Sequence, residues 1–374
     1  MRAIAQALPA LSADVVAFQE VWTPWARDTL VAAGARAGLP HAWHRNRSFG
    51  GSGLLVLSRW PIARHRFRPF TLCGLPQRLQ HADYYGGKGF VQVEISAPDG
   101  ALEVVATHLH AAYGRGVGFE DEYEGHRVAE IVEIAAAVAR SSRPIVVMGD
   151  LNATPEREEM QVLAGITRLV DAAAAVGHPE ATAISGSPYR GHRGAPDERI
   201  DYVLARAGAR RGLRIVDAGR RFDEEIEIEG SPGAYSDHAG VLAEIEVGGA
   251  GTALPVPSVT ALQQARGLLD RGRERALYRR DGQRSFAAFG AATALAGGVA
   301  GKRSRRSFLR RASLAGAALV LAPSLAATAL AEGFTPTELD GYDRVERVLD
   351  ELLVLTGERR VRQRTIPGAR TQIR

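Results

Sequence analysis

The stretch RPIVVMGDLNATPE, residues 143–156, decides how the rest of the chain is read. Ile145 to Met148 are four consecutive apolar residues, three of them β-branched, which is the composition of a buried strand. They run straight into Gly149, Asp150, Leu151 and Asn152, with Pro155 close behind. Glycine and proline punctuate the run, so the strand ends at the acid. An acid and an amide at the end of a buried strand cost free energy unless something uses them.

The same arrangement recurs on either side. DVVAFQEV (14–21), SGLLVLS (52–58), KGFVQVEI (88–95), LEVVATHL (102–109), PIVVMGD (144–150), RIDYVLA (199–205) and AGVLAEIEV (239–247) read as strands. EGHRVAEIVEIAAAVARSS (124–142) predicts a helix with Val128, Ile131, Val132, Ala135, Val138 and Ala139 on one face. Strands outnumber helices, and several neighbours are close enough in sequence to pair antiparallel. This favours an α+β fold, a two-sheet β-sandwich flanked by helices, over a doubly wound parallel sheet.

Residues 1–247 form one catalytic unit in this reading, and GGAGTALPVPS (248–258) a linker. Residues 259–374 follow as a basic helical tail with two hydrophobic segments, 285–301 and 312–331, on either side of KRSRRSFLRR. Each segment is near the ~20 residues needed to cross a bilayer. Both are Ala/Gly-rich, and Pro323 interrupts the second. From residue 304 the tail also has the form of a twin-arginine export signal, ending in Ala-Leu-Ala at 329–331.

The formal net charge of +5 is unevenly spread: residues 251–374 hold 21 Lys/Arg against 11 Asp/Glu, and the first 250 residues 26 against 31. The basic excess lies outside the catalytic unit, which makes a nucleic acid the less favoured partner and a membrane surface the favoured one. No obligate protein partner is evident. The single cysteine, Cys73, excludes an intramolecular disulfide and a thiolate zinc cage.

Ionisable residues gather at strand ends: Glu20, His108, His110, Asp150 with Asn152, Asp201, and Asp237 with His238. Rigid strand termini suit catalysis by positioning. A hard cation such as Mg²⁺ takes oxygen ligands and needs only one or two carboxylates. A histidine beside a carboxylate can take a proton from water near neutral pH. The combination points to metal-assisted attack on a phosphoester.

In this order, QE (19–20), TH (107–108), GDLN (149–152), RIDY (199–202) and SDH (236–238) resemble the endonuclease/exonuclease/phosphatase superfamily of Mg²⁺-dependent phosphoesterases over residues 14–247. YYGGKGFVQVEI, THLHAAYG, GHRVAEIVEIAA and RIDYVLARA are similar to the neutral sphingomyelinases. The resemblance implies that Glu20 binds Mg²⁺ and that His238 is the general base, with Asp201 accepting from its other ring nitrogen. It implies that Asp150 orients the water, that Asn152 and His108 stabilise charge at phosphorus, and that Asp237 supports the site or a second metal. Asp83 and Lys88, in DYYGGK, are expected to pair on a loop over the phosphate.

A catalytic unit followed by two apolar segments is also similar to a membrane-bound branch of those enzymes. The expectation is a phosphodiesterase acting on sphingomyelin or a related phospholipid, associated with a bacterial inner membrane. Alternatives are a DNA-processing nuclease or phosphatase of the same fold, and a catalytically impaired membrane-anchored homologue. The last arises because MRAIAQALPALSAD resembles the helix after the family's first strand, so that strand and its supporting Asn are expected to be missing.

Overall fold

The computed structural model describes residues 1–45, 51–81, 83–113, 121–189 and 196–365. The end of the expected tail, residues 366–374, lies outside the described residues. The chain opens with α1 (Arg2–Ala7), β1 (Val15–Phe18), α2 (Pro24–Arg36), β2 (His41–His44) and β3 (Leu55–Ser58). These three strands form an antiparallel sheet in the order β1-β3-β2.

A six-stranded sheet follows. Its members are β4 (Ile62–Pro69), β5 (Gly89–Ala97), β6 (Gly100–His108), β7 (Ile145–Asp150), the short β8 (Val170–Asp171) and β9 (Asp201–Arg206). They lie in the order β4-β5-β6-β7-β9-β8. Only β6 and β7 are parallel, joined by the crossover helix α4 (Glu124–Arg140). Between the strands lie α3 (Asp83–Gly86), α5 (Glu158–Thr167) and α6 (Ala172–Val176). Two further pairs, β10 (Arg211–Arg221) with β13 (Gly240–Ala250) and β11 (Ile226–Ile228) with β12 (Ser231–Gly233), complete the β structure.

The layers stack through alternate strand residues. Trp43, Leu54 and Val56 meet Val91, Val93, Ile95, Val104 and Ala106, while Val146, Val203 and Ala205 meet Ala218 and the partly buried Val241 and Ala243. The result is the expected sandwich of two β layers flanked by helices. Each fully buried Leu, Ile or Val contributes about 1.5–3 kcal/mol. Among the described residues β1 pairs only with β3, and β13 only with β10. Residues from both strands line one cavity of about 990 Å³.

On the far face of the six-stranded sheet, α4 is buried all round, because α7 (Val259–Arg303) and α9 (Thr335–Thr365) cover the side that the sheet leaves open. Leu262, Leu268, Leu269, Val345, Leu349 and Leu352 share its core. The crossing is close: a Cβ at Gly272 would lie 2.9 Å from the Gly125 Cα and 2.6 Å from the Tyr342 hydroxyl. Between them α8 (Ser307–Ala329) runs back along α7 and joins α9 through a π-helical turn, Leu330–Phe334. One continuous stretch, Ser307–Val361, is long and apolar enough to cross a membrane. Among the described residues it is the one such helix, and the Ala/Gly-rich segment 285–301 of α7 is less apolar.

Candidate active site

Register builds the site. In the parallel β6–β7 pair His108 stands opposite Asp150, and in the antiparallel β7–β9 pair Asp150 stands opposite Asp201. Three ionisable side chains from three adjacent strands therefore form one row at the sheet's end. The row extends to Gly89, opposite His108, so Lys88 sits just outside it. His238 is brought in by a bridge between its backbone and Ala183, which also bridges Glu198 ahead of β9.

Local sequence secures each position. At Gly149, φ is +138° and a Cβ would fall 2.0 Å from the Thr107 carbonyl oxygen, so only glycine allows β7 to lie this close to β6. Asn152 takes φ +48°, a left-handed conformation asparagine tolerates, and its backbone N–H donates to Asp150 Oδ1 at 2.7 Å. The Tyr202 hydroxyl ties the loop to β9 by bonding to the Ala153 and Arg199 carbonyls, at 2.7 and 2.9 Å. Thr182 Oγ1 accepts from the N–H groups of Ile200 and Asp201.

His238 Nδ1 donates to Asp201 Oδ2 at 2.9 Å. Donor atoms of Asp150, Asp201 and His238 lie within 4.8 Å of one another, close enough to hold a metal ion. Burial disfavours a charged imidazole, but the Asp201 hydrogen bond and the charges of Asp201, Asp150 and Asp237 outweigh it and lift His238 to about 10. Burial also pushes Asp201 above its ordinary value, and the neighbouring Asp150 charge adds to this. Asp150 is held below its ordinary value: burial would raise it, but His108, 3.4 Å away, and His238 prevail.

Glu20, His108, Asp150, Asp201, Asp237 and His238 line the same cavity. Glu20 is exposed, follows β1 with φ +57°, and is not one of the three clustered donors. Asn152 is not part of the cavity wall. Its amide nitrogen donates to the Leu109 carbonyl at 2.9 Å and to Asp150 Oδ2 at 3.2 Å. Asp83 and Lys88 form a buried ion pair of 2.9 Å, and Lys88 Nζ also donates to the Leu109 carbonyl at 3.1 Å. One backbone oxygen thus ties the Lys88 loop to Asn152.

Behind that carbonyl lies a second polar cluster. His110 donates its backbone N–H to Glu130 at 2.9 Å, stacks on Tyr123 at 3.9 Å, and lies 3.6 Å from Asp83. His126 on α4 and Tyr342 on α9 close it. The sequence reading assigned nothing to Thr182, Glu130 or His126. Glu130 and His126 sit within an amphipathic pattern that marks them as solvent-facing; the segment after β6 meets Glu130, which accepts the His110 N–H, and the C-terminal helices meet His126 through Tyr342 and Glu338. Thr182 has no motif around it.

The sequence profile of the Endonuclease/Exonuclease/phosphatase family matches residues 1–238. The chain belongs to that family. It is 29% identical over 271 residues to human sphingomyelin phosphodiesterase 2, an alignment covering 66% of this chain and 60% of that protein. It is 28% identical over 159 residues to the inositol phosphosphingolipids phospholipase C of Schizosaccharomyces pombe, covering 41% and 37%. The chain spans 55–60% of the length of the first curated relatives it matches. The crystal structure of D. rerio TDP2 complexed with single strand DNA product superposes with a TM-score of 0.50 at 15% identity, covering 66% of this chain and 90% of that one. That likeness supports the shared fold.

Proposed function

We propose that this chain is a metal-dependent phosphodiesterase that hydrolyses sphingomyelin or a related phospholipid to a lipid alcohol and a phosphorylated head group. The observation that carries the reading is the row His108–Asp150–Asp201, joined by His238 at one cavity. The names of the curated relatives supply the substrate class.

A divalent ion fits the donor chemistry of this wall, where Glu20, Asp150, Asp201 and Asp237 offer carboxylate oxygens. Glu20 is the assigned Mg²⁺ ligand, and Asp237 supports the site or a second ion. When bound, the ion polarises a non-bridging phosphate oxygen and steadies the leaving oxygen. His238 takes the proton of the attacking water at Nε2, while Asp201 holds Nδ1 and so fixes tautomer and aim. Asp201, Asp150 and Asp237 favour the imidazolium, so base catalysis requires positive charge among these carboxylates to return the ring to neutrality. Asp150 orients the water, and His108 and Asn152 stabilise charge at phosphorus. Lys88 exchanges Asp83 for a phosphate oxygen.

The reading extends to the membrane: α7 and α8 form a hairpin that anchors the chain in the bilayer that carries its substrate. The test is head-group release from sphingomyelin and other phospholipid vesicles, with and without Mg²⁺, alongside nicked DNA. Cleavage of sphingolipid only with Mg²⁺ is expected. Cleavage of the DNA alone would replace the substrate assignment. No turnover and no thermal stabilisation by Mg²⁺ would mark a non-catalytic anchor protein.

A further inference from the structure

Basic residues flank both apolar runs of the C-terminal region, which by sequence leaves the orientation of a hairpin open. Their pairing divides them into two groups. At the base, the arginines of α7 are matched with acids: Arg284 with Glu332 at 2.6 Å, Arg279 with Glu338 at 2.7 Å, Arg273 with Asp343 and Glu346, and Arg266 with Asp350. Arg271 and Arg275 reach Glu158 and Glu124 of the catalytic unit, at 2.6 and 3.3 Å. At the opposite end, Lys302, Arg303, Arg305, Arg306, Arg310 and Arg311 surround the turn between α7 and α8. All six are exposed, and none has an acidic partner among the described residues. No Asp or Glu occurs between Asp281 and Glu332.

The two groups are separated by two apolar helix segments of near-bilayer length. Residues 285–301 and 312–331 span about 26 and 30 Å at the helical rise of about 1.5 Å, against a hydrocarbon core of about 30 Å. Their outward faces expose Phe289, Leu295, Leu319 and Leu325. The seam between the helices is built from small residues: a Cβ at Gly290 would lie 1.9 Å from Ser324 Oγ, and one at Gly297 3.5 Å from the Ala317 Cβ. Small residues let helix backbones approach in lipid, where apolar side chains give no preference for one another over the solvent.

We propose that the α7–α8 hairpin crosses the bilayer with its six-cation turn against the anionic cytoplasmic leaflet, which places the phosphoesterase cavity on the opposite side. The proposal rests on reading the hairpin as the anchor. Positive charge orients membrane segments chiefly when it lies in short loops, while large folded domains move across largely regardless of their charge. The short loop here is the six-cation turn, and its cations are attracted to an anionic membrane surface. The twin-arginine form has the same polarity, with basic residues before the apolar run that leads away from the cytoplasm. The substrate drawn into the cavity is then a phospholipid of the outer leaflet.

Cysteine labelling of the full chain in bacterial spheroplasts tests this. Cys73 is a poor target, since burial pushes its thiol up to about 11, and the parent chain serves as the blank. Ala175→Cys, on the exposed side of α6, is expected to react with a membrane-impermeant maleimide in intact spheroplasts. Ser304→Cys, in the turn, is expected to react only after permeabilisation. The reverse pattern, or protection of both before permeabilisation, overturns the proposal. Reaction of both in intact spheroplasts overturns it together with the anchor reading. Head-group release by the detergent-solubilised protein, measured in parallel, keeps the phosphodiesterase reading separate. Replacing Lys302, Arg303, Arg305 and Arg306 by Gln should expose Ser304→Cys in intact spheroplasts; unchanged protection would overturn the role of charge.

Discussion

Three histidines within one domain titrate in opposite directions. His238 lines the cavity with three carboxylates around it, and they hold it charged despite burial, at about 10. His110 and His126 lie behind the Leu109 carbonyl in a sealed cluster. There burial dominates, taking His110 to about 4 and His126 well below its ordinary value. His108 and His110 leave the same strand end two residues apart, yet one looks into the cavity and the other into the cluster. The fold therefore separates a charged, accessible set of groups from a largely neutral, enclosed one. The proton transfer proposed for His238 would draw on the first, and packing against the C-terminal helices belongs to the second.

The largest effect should fall on the cavity side. His238→Ala is expected to lower turnover by at least about a hundredfold, the smaller end of what a positioned base contributes. Its melting temperature should stay near that of the parent, because His238 is only partly buried and its backbone bridge remains. Near-normal head-group release from the folded variant would remove His238 as the base.

Lys88 stands between the two sets, and its substitution should show both kinds of loss. Lys88→Met leaves Asp83 buried without its cation and should cost about 3 kcal/mol of stability by chemical denaturation. Adding Asp83→Asn should restore most of that stability but not turnover, if Lys88 serves the phosphate. Recovery of both would make the pair purely structural.

Asp201→Asn is a smaller perturbation. It should reduce turnover by ~10–100-fold, as loss of an orienting partner does. Removing a carboxylate that raises His238 also lowers the pH at which the ring becomes neutral. The acidic limb of the pH–rate profile should therefore move to lower pH. A reduced rate with an unmoved limb would mean that Asp201 does not act through His238.

The contrast between the clusters also explains what could be read in the sequence. The strands at 88–95, 102–109, 144–150, 199–205 and 239–247 correspond to β5, β6, β7, β9 and β13, because each sets β-branched residues in a core or, for Val241 and Ile245 of β13, partly buried against one. β4 escaped notice because Arg64, His65, Arg66 and Arg68 break its apolar pattern, and β10 because arginines bracket Leu213 and Ile215 at both ends. The cavity residues were legible as a set: each strand-end acid or histidine is weak alone, and their order along the chain is what marked them. Register was not: the alignment of His108, Asp150 and Asp201 depends on one parallel and one antiparallel pairing that no local pattern encodes. The sealed cluster was the least legible, since Glu130 looks solvated until the segment after β6 is laid against it, and His126 until α7 and α9 are.

The smallest effect belongs to that cluster and concerns stability alone. A histidine with a folded value below its ordinary 6.5 binds fewer protons in the folded than in the unfolded state. Its contribution is complete above pH 6.5 and is lost as pH falls towards 4 for His110, and further for His126. Asp83, held low by Lys88 and the nearby histidines although burial opposes it, adds a loss of the same sign only below about its ordinary 3.8. Among the described residues neither buried ring nitrogen of His126 has a hydrogen-bond partner, the Glu338 carboxylate lies 3.5 Å from Nε2, and Tyr123 and Tyr342 pack edge-on to the ring. His126→Phe removes two unsatisfied polar atoms and one acid-sensitive group while keeping a ring in place. Its melting temperature at pH 8 should equal or exceed the parent's by a few degrees, and the margin should widen as the pH falls from 6.5 to 4.5. A margin that stays flat would show that His126 takes up its proton inside the fold, and that the enclosed cluster is not a neutral one.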